Sequence, residues 1–312
     1  MEEGHFHNLP TWMIGNAHLT LEVLREAGPR IVRLMPAGSQ SNLFAETPHI
    51  HLPSPYGPYA LYGGHRLWLA PEHPARTYVP EDSGVTLESN ARGVTLQRPA
   101  DAHSHIAKTM AIELHDDRAA VTVRHTLQNE GNWAVELSAW AITQLPPQGV
   151  AIIPHRTTAA DEHGMLPNRQ LTLWPYTSWS DPRLELHDDL ILVRGRADMP
   201  QHFKIGTMNH AGWAAYLGQD YLFVKRTQPQ PDQPHPDLGC NTELYTDDGF
   251  IELETLSPLT RLDPGCRLTH VETWEIRPVR DTMRSALHTD AVPTIDAIRA
   301  LIAGVQPHVG TP

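Results

Sequence analysis

Apolar and polar positions alternate along most of this chain with a period of two, the repeat of a half-buried strand. Residues 18–24 and 30–35 are two such runs split by Ala27, Gly28 and Pro29, which predicts an N-terminal hairpin. Runs at 94–97, 106–114, 119–127 and 134–143 follow; Asp116 and Asp117, then Asn129 to Asn132, separate the last three and predict a meander. Shorter strands are predicted at 150–153, 171–174, 190–194, 213–217 and 221–225. Many short strands, with 28 Pro and 21 Gly between them, predict an all-β sandwich or barrel. Helical spacing occurs only at 293–303, where Ile295, Ile298 and Leu301 or Ile302 fall on one face before Gly304. The expected organisation is one β domain over 1–290 and a C-terminal helix with a frayed tail over 291–312. The proline-rich stretch 228–236 is read as a surface loop.

The last two predicted strands carry unusual side chains. In 250–258, Glu252 and Glu254 share one face, while Ile251, Leu253 and Thr255 share the other. After a turn at Pro264 and Gly265, the strand 270–276 presents His270, Glu272 and Trp274 on one face, expected to continue the Glu face. Such a surface is either a solvated exterior or the floor of a polar ligand site.

Charge and composition narrow the choice. The 312 residues are 40% hydrophobic and carry a net charge of −12 with histidine neutral, which argues against a nucleic-acid or anionic-membrane partner. Two cysteines, Cys240 and Cys266, form neither a disulfide framework nor a zinc module. The polar start Met1 to His7 lacks a signal-peptide core, and no apolar run is long enough to span a bilayer. A cytoplasmic location is the expectation.

Four segments could carry chemistry. Gly63 and Gly64 before His65 and Arg66 suggest a strand start that needs positive φ, with Arg66 offering a fork of donors and His65 an acid or base; taken alone, so short a motif favours a turn with a surface Arg. Glu252 and Glu254 could serve proton transfer, or could sit on an exposed sheet face. Lys204, Asn209 and His210 could bind hydroxyls, with Trp213 stacking on a ring, or form a polar loop beside a core Trp. Asp237, Asn241 and Glu243 are too few and too dispersed to claim a calcium loop. His103 and His105 have chelating spacing, but twenty histidines make one such pair expected by chance. There is no phosphate-cradling glycine loop and no GxSxG elbow, which disfavours nucleotide-dependent chemistry and serine hydrolysis.

Read together, Gly63 to Trp68, Ala70 to Glu72, Trp140 to Gln144, Lys204 to Gly206, Pro236 to Tyr245, Glu252 to Pro258 and the His270-x-Glu272-x-Trp274 strand resemble the galactose-mutarotase-like superfamily. Within it the chain looks closest to a mostly uncharacterised bacterial family. The resemblance implies a β-supersandwich with a short C-terminal helix. It implies an aldose 1-epimerase-like activity in which Glu254, within Leu253-Glu254-Thr255 and ahead of Pro264-Gly265, is the general base. The family's acid-bearing segment corresponds to residues 139–144 and places Trp140 where the family has His. A Leu-His-Gly-Gly motif likewise becomes Leu61 to Gly64, with histidine moved to position 65.

The expected catalytic pair is therefore Glu254 and His65, with Arg66, Trp140, Lys204, His210, Glu252 and His270 binding a carbohydrate. No cofactor and no metal are expected. The alternatives are a carbohydrate-binding protein without catalysis, or a lyase or hydrolase on the same scaffold.

Overall fold

The computed structural model describes residues 1–39, 41–279 and 293–305. The expected boundary at 290/291 and the tail beyond 305 lie outside the described residues. An eleven-stranded antiparallel sheet runs from the ribbon Glu2–Phe6 and Leu9–Gly15 through Leu19–Leu24, Arg30–Pro36, His65–Ala70 and Val135–Leu145. It continues through Ile251–Leu256, Thr242–Thr246 and Phe203–Thr207 to Thr172–Leu173, with Thr260–Leu262 pairing to one side of Val135–Leu145. A ten-stranded antiparallel sheet faces it, with Trp213–Leu217, Tyr221–Arg226, Arg267–Pro278, Ala120–Asn129 and Ile106–Leu114 at its centre.

The main core fills the space between the sheets, and both sheets supply it: Leu67, Leu69, Ala139, Ile205, Leu244 and Leu253 from one, and Met110, Val121, Val123, Phe223 and Trp274 from the other. Each sheet also has a partly covered outer face. On the ten-stranded sheet, Ile152, Leu192, Trp213 and Val224 pack under Ile298 and Ile302 of the C-terminal helix Ile295–Ile302, capped by Thr294. On the eleven-stranded sheet, Trp68, Trp140 and Ile142 pack beneath the two-stranded sheet Glu46–Leu52 and Tyr59–Gly63. Burial on both faces explains why Val150–Pro154 reads as an unbroken apolar run and why Leu137–Leu145 is buried throughout.

The predicted N-terminal hairpin and the short strands are present, as is the helix. Two inferences about connectivity need correction. The three strands expected as a meander are not one: Ile106–Leu114 and Ala120–Asn129 pair, but the chain then crosses to the other sheet. Asn129 braces that corner, donating to the Trp133 and Leu262 carbonyls at 2.8 and 2.9 Å. Likewise, Ile251–Leu256 and Arg267–Pro278 lie in opposing sheets. The Glu252/Glu254 face therefore points outward, whereas His270, Glu272 and Trp274 point into the space between the sheets.

Candidate functional site

Strand register assembles the site on the outer face of the eleven-stranded sheet. Arg66 opposes Ile142, Ile142 opposes Glu254 and Glu254 opposes Glu243; one row over, Lys204, Tyr245 and Glu252 are successive neighbours. Trp68 opposes Trp140. Alternation puts Arg66 and Trp68 outward while Leu67 and Leu69 enter the core. Gly63 and Gly64 make this possible, with φ of +94° and +66°. A Cβ on Gly64 would lie 2.0 Å from the Ile31 carbonyl oxygen.

The result is a concave pocket of about 170 Å³ in which aromatic rings (Trp68, Tyr78, Trp140, Tyr176, Tyr245 and Phe250) surround Arg66, Glu72, Lys204 and Glu252. Arg66 donates to Glu252 at 2.6 Å and lies 4.0 Å above the Trp68 ring. Lys204 approaches Glu243 at 2.8 Å and Glu254 at 3.0 Å, and sits over Trp140 and Trp174. The Trp140 indole donates to Glu254 at 2.7 Å. Glu254 is fully buried beneath these groups, and its Oε1 has no hydrogen-bond partner; Nε and Nη1 of Arg66 are also unpartnered. Unmatched buried donors and acceptors around a cavity are what a polar ligand would satisfy.

Burial dominates the protonation states. It raises Glu252 to about 7 against the opposing pull of Arg66, with Glu254 adding to the rise. It raises Glu243 well above the usual carboxylate range, although Lys204 opposes it. For Lys204 burial works against the charge, but Glu243 and Glu254 prevail and raise its pKa. A lining carboxyl that exchanges its proton near neutrality is suited to general acid or base work.

Of the residues expected from sequence, Arg66, Trp140, Lys204 and Glu252 line the pocket, and Glu254 lies buried beneath Trp140 and Lys204. His65, His270 and His210 do not. His65 lies on the opposite face of its strand from Arg66, fully buried between the sheets, so it cannot reach the pocket as the acid partner of Glu254. There His65 Nε2 and His125 Nε2 are 2.7 Å apart, and His65 Nδ1 is 2.9 Å from the Thr143 hydroxyl. His125 Nδ1 faces the His270 carbonyl at 3.1 Å and so carries the proton, leaving its Nε2 to accept from His65. His270 meets Thr255 at 2.8 Å, Thr255 donates to Glu272, and Lys225 and the Trp274 indole reach Glu272 at 2.9 Å each.

His65, His125 and Glu272 offer ligand atoms within 4.8 Å of one another. Every one of those atoms already has a partner in the chain, so the cluster reads as a brace joining the two sheets. Burial lowers His65 well below its usual range, His125 to about 4 and His270 to about 3, so all three are neutral. His210 lies on the turn before Trp213–Leu217, where Arg156 and Asp232 are its charged neighbours. Trp213 packs under the C-terminal helix and cannot stack on a ligand in the pocket. Asn241 accepts from the Asn209 amide and donates to the Asn209 carbonyl, which commits it to bracing loops.

Several pocket residues were not singled out from sequence. Trp68 and Tyr245 follow from alternation, two positions beyond Arg66 and Glu243. Glu72, Tyr78 and Tyr176 come from loops, whose side-chain directions no periodicity encodes.

Neither a protein-family model nor a curated protein matches the sequence. Solved structures do match. One is a galactose mutarotase related enzyme from Lactobacillus acidophilus, at 8% identity and a TM-score of 0.54, covering 87% of this chain and 98% of that one. Another is a galactose mutarotase-like protein from Lactobacillus casei, at 10% identity and a TM-score of 0.51, covering 86% and 100%. A TPR-domain containing protein from Parabacteroides distasonis matches at 14% identity and a TM-score of 0.61, but this chain spans only about half of it, 93% and 51% being covered. Identities this low speak for the fold alone. By its architecture and by these likenesses, the chain has the galactose-mutarotase-like β-supersandwich fold.

Proposed function

We propose that the pocket binds a sugar ring and interconverts its anomers by proton transfer between carboxyl groups of the strand Ile251–Leu256. The observation that carries this reading is the convergence of Arg66, Lys204 and Glu252 on one aromatic-walled cavity, with Glu254 directly beneath Lys204 and Trp140. Side chains two apart on a strand are separated by roughly 6.6 Å along it, which leaves room for a ring between the carboxyls. Glu254 takes the proton of the anomeric hydroxyl, and Glu252 protonates the ring oxygen. The bond between the anomeric carbon and the ring oxygen opens to a carbonyl, which rotates, and closure reverses both proton transfers. The unpartnered N–H groups of Arg66 hold hydroxyls, and Trp140 supplies an apolar wall.

A second reading, sugar binding without catalysis, is favoured by one feature: Glu254 is covered by Trp140 and Lys204 and is reached only past them. Saturation-transfer NMR against free aldoses, followed by rates of anomer relaxation, separates the two. Binding with faster relaxation, lost in Glu252→Gln and Glu254→Gln, supports the enzyme. Binding with an unchanged relaxation rate supports the binding protein, and no binding to any sugar contradicts both.

A further inference from the structure

We propose that this pocket selects a sugar bearing a protonated amine over neutral and anionic sugars. The inference rests on the sugar-binding part of the reading above and adds the charge of the ligand. Two cations, Arg66 and Lys204, and two carboxyl groups, Glu72 and Glu252, line the pocket, with Glu243 and Glu254 buried beneath Lys204. Arg66 is committed to Glu252, and Lys204 is shared by Glu243 and Glu254. Glu72, which lines the pocket, feels the charge of Lys204 but makes no ion pair among the described residues. Its one side-chain hydrogen bond there is from the Tyr78 hydroxyl. The bound cations also occupy ring faces of Trp68, Trp140 and Trp174, whereas Tyr78 and Tyr176 carry none.

A carboxylate hydrogen-bonded to an aromatic residue, with further rings around it, is the arrangement that holds an ammonium group by charge and by cation–π attraction. The Tyr176 hydroxyl is pushed up first by burial; Lys204 pulls it down, while Glu254, Glu72 and Glu252 push it up. The unpartnered N–H groups of Arg66, on a side chain only 1% exposed, are left for hydroxyls of the same ligand. A uronate or phosphate would instead bring a second anion beside Glu72 and Glu252.

The test is titration calorimetry of the full chain with glucosamine, glucose, N-acetylglucosamine and glucuronate at neutral pH, where most of the free amine carries its proton and Glu252 is not yet fully protonated. Glucosamine is expected to bind about fivefold more tightly than glucose, the size of one partly exposed charge contact. Glucuronate is expected to bind more weakly than either. The glucosamine-to-glucose ratio should fall to about one in Glu72→Gln and shrink with added salt. N-acetylglucosamine, which keeps the nitrogen but not its charge, should lose the advantage. Equal affinity for glucosamine and glucose, or tighter binding of glucuronate, overturns the inference while leaving sugar binding intact. Failure of every sugar to bind overturns the sugar-binding reading itself, and this inference with it.

Discussion

Lys204 is the residue whose charge the pocket cannot lose. It is nearly fully buried and neutralises Glu243 and Glu254 from below the ligand cavity. Replacing it with Met leaves two buried carboxyl groups uncompensated, and we expect a loss of about 3–5 kcal/mol, read as a lower urea midpoint. A midpoint equal to that of the unchanged protein would show that the pair is not buried as described. His125 and His270 make a different prediction. Burial holds them at about 4 and about 3, below the value near 6.5 of an unfolded chain. Their contribution to stability is complete above about 6.5 and is lost as pH falls toward those values, because the unfolded state then binds more protons. Glu252 acts in the opposite sense: raised to about 7, it lowers stability as pH rises from about 4.5 through 7. Imidazole resonances of His125 and His270 should therefore stay unshifted between about pH 5 and pH 8, the range in which a histidine in water changes charge. Titration of either in that range would contradict the buried brace.

At the scale of elements, the strand His65–Ala70 divides site from core residue by residue. Its start depends on Gly64, where positive φ and the Ile31 carbonyl exclude a side chain. Gly64→Ala should cost at least about 1–3 kcal/mol and weaken ligand binding, because Arg66 follows two residues later. A variant with wild-type stability would show that the backbone can adjust. The paired glycines marked the start of this strand, and alternation separated Glu252 and Glu254 from Leu253. It could not tell which sheet a strand joins. Thr255 shows why: it reads as an ordinary inward residue, yet it bonds His270 and Glu272 from the facing sheet. The resemblance implied His65 as the displaced acid of the site, but on a strand it faces the opposite way from its neighbour Arg66. The C-terminal helix was legible from its spacing alone. Ile298, fully buried against the ten-stranded sheet, should cost about 2–5 kcal/mol when truncated to Ala, measured by thermal or urea unfolding.

For the whole molecule, two large sheets leave one outer face for a helix and the other for the pocket. Among the described residues no helix is long and apolar enough to cross a membrane. The motifs at 63–68, 140–144 and 252–258 pointed to the fold because they fall on three adjacent strands of one sheet. The loop-borne wall residues Tyr78 and Tyr176 carried no such signal, since the approach of loops to a sheet is set by tertiary packing. The central claim is that this wall and sheet enclose a site for anomer exchange. Exchange NMR between the α and β forms of the sugar that binds best tests it directly. The account predicts faster exchange with the unchanged protein, reduced at least about 100-fold by Glu252→Gln in a folded variant. Exchange at the rate of buffer alone, despite saturable binding, would contradict it.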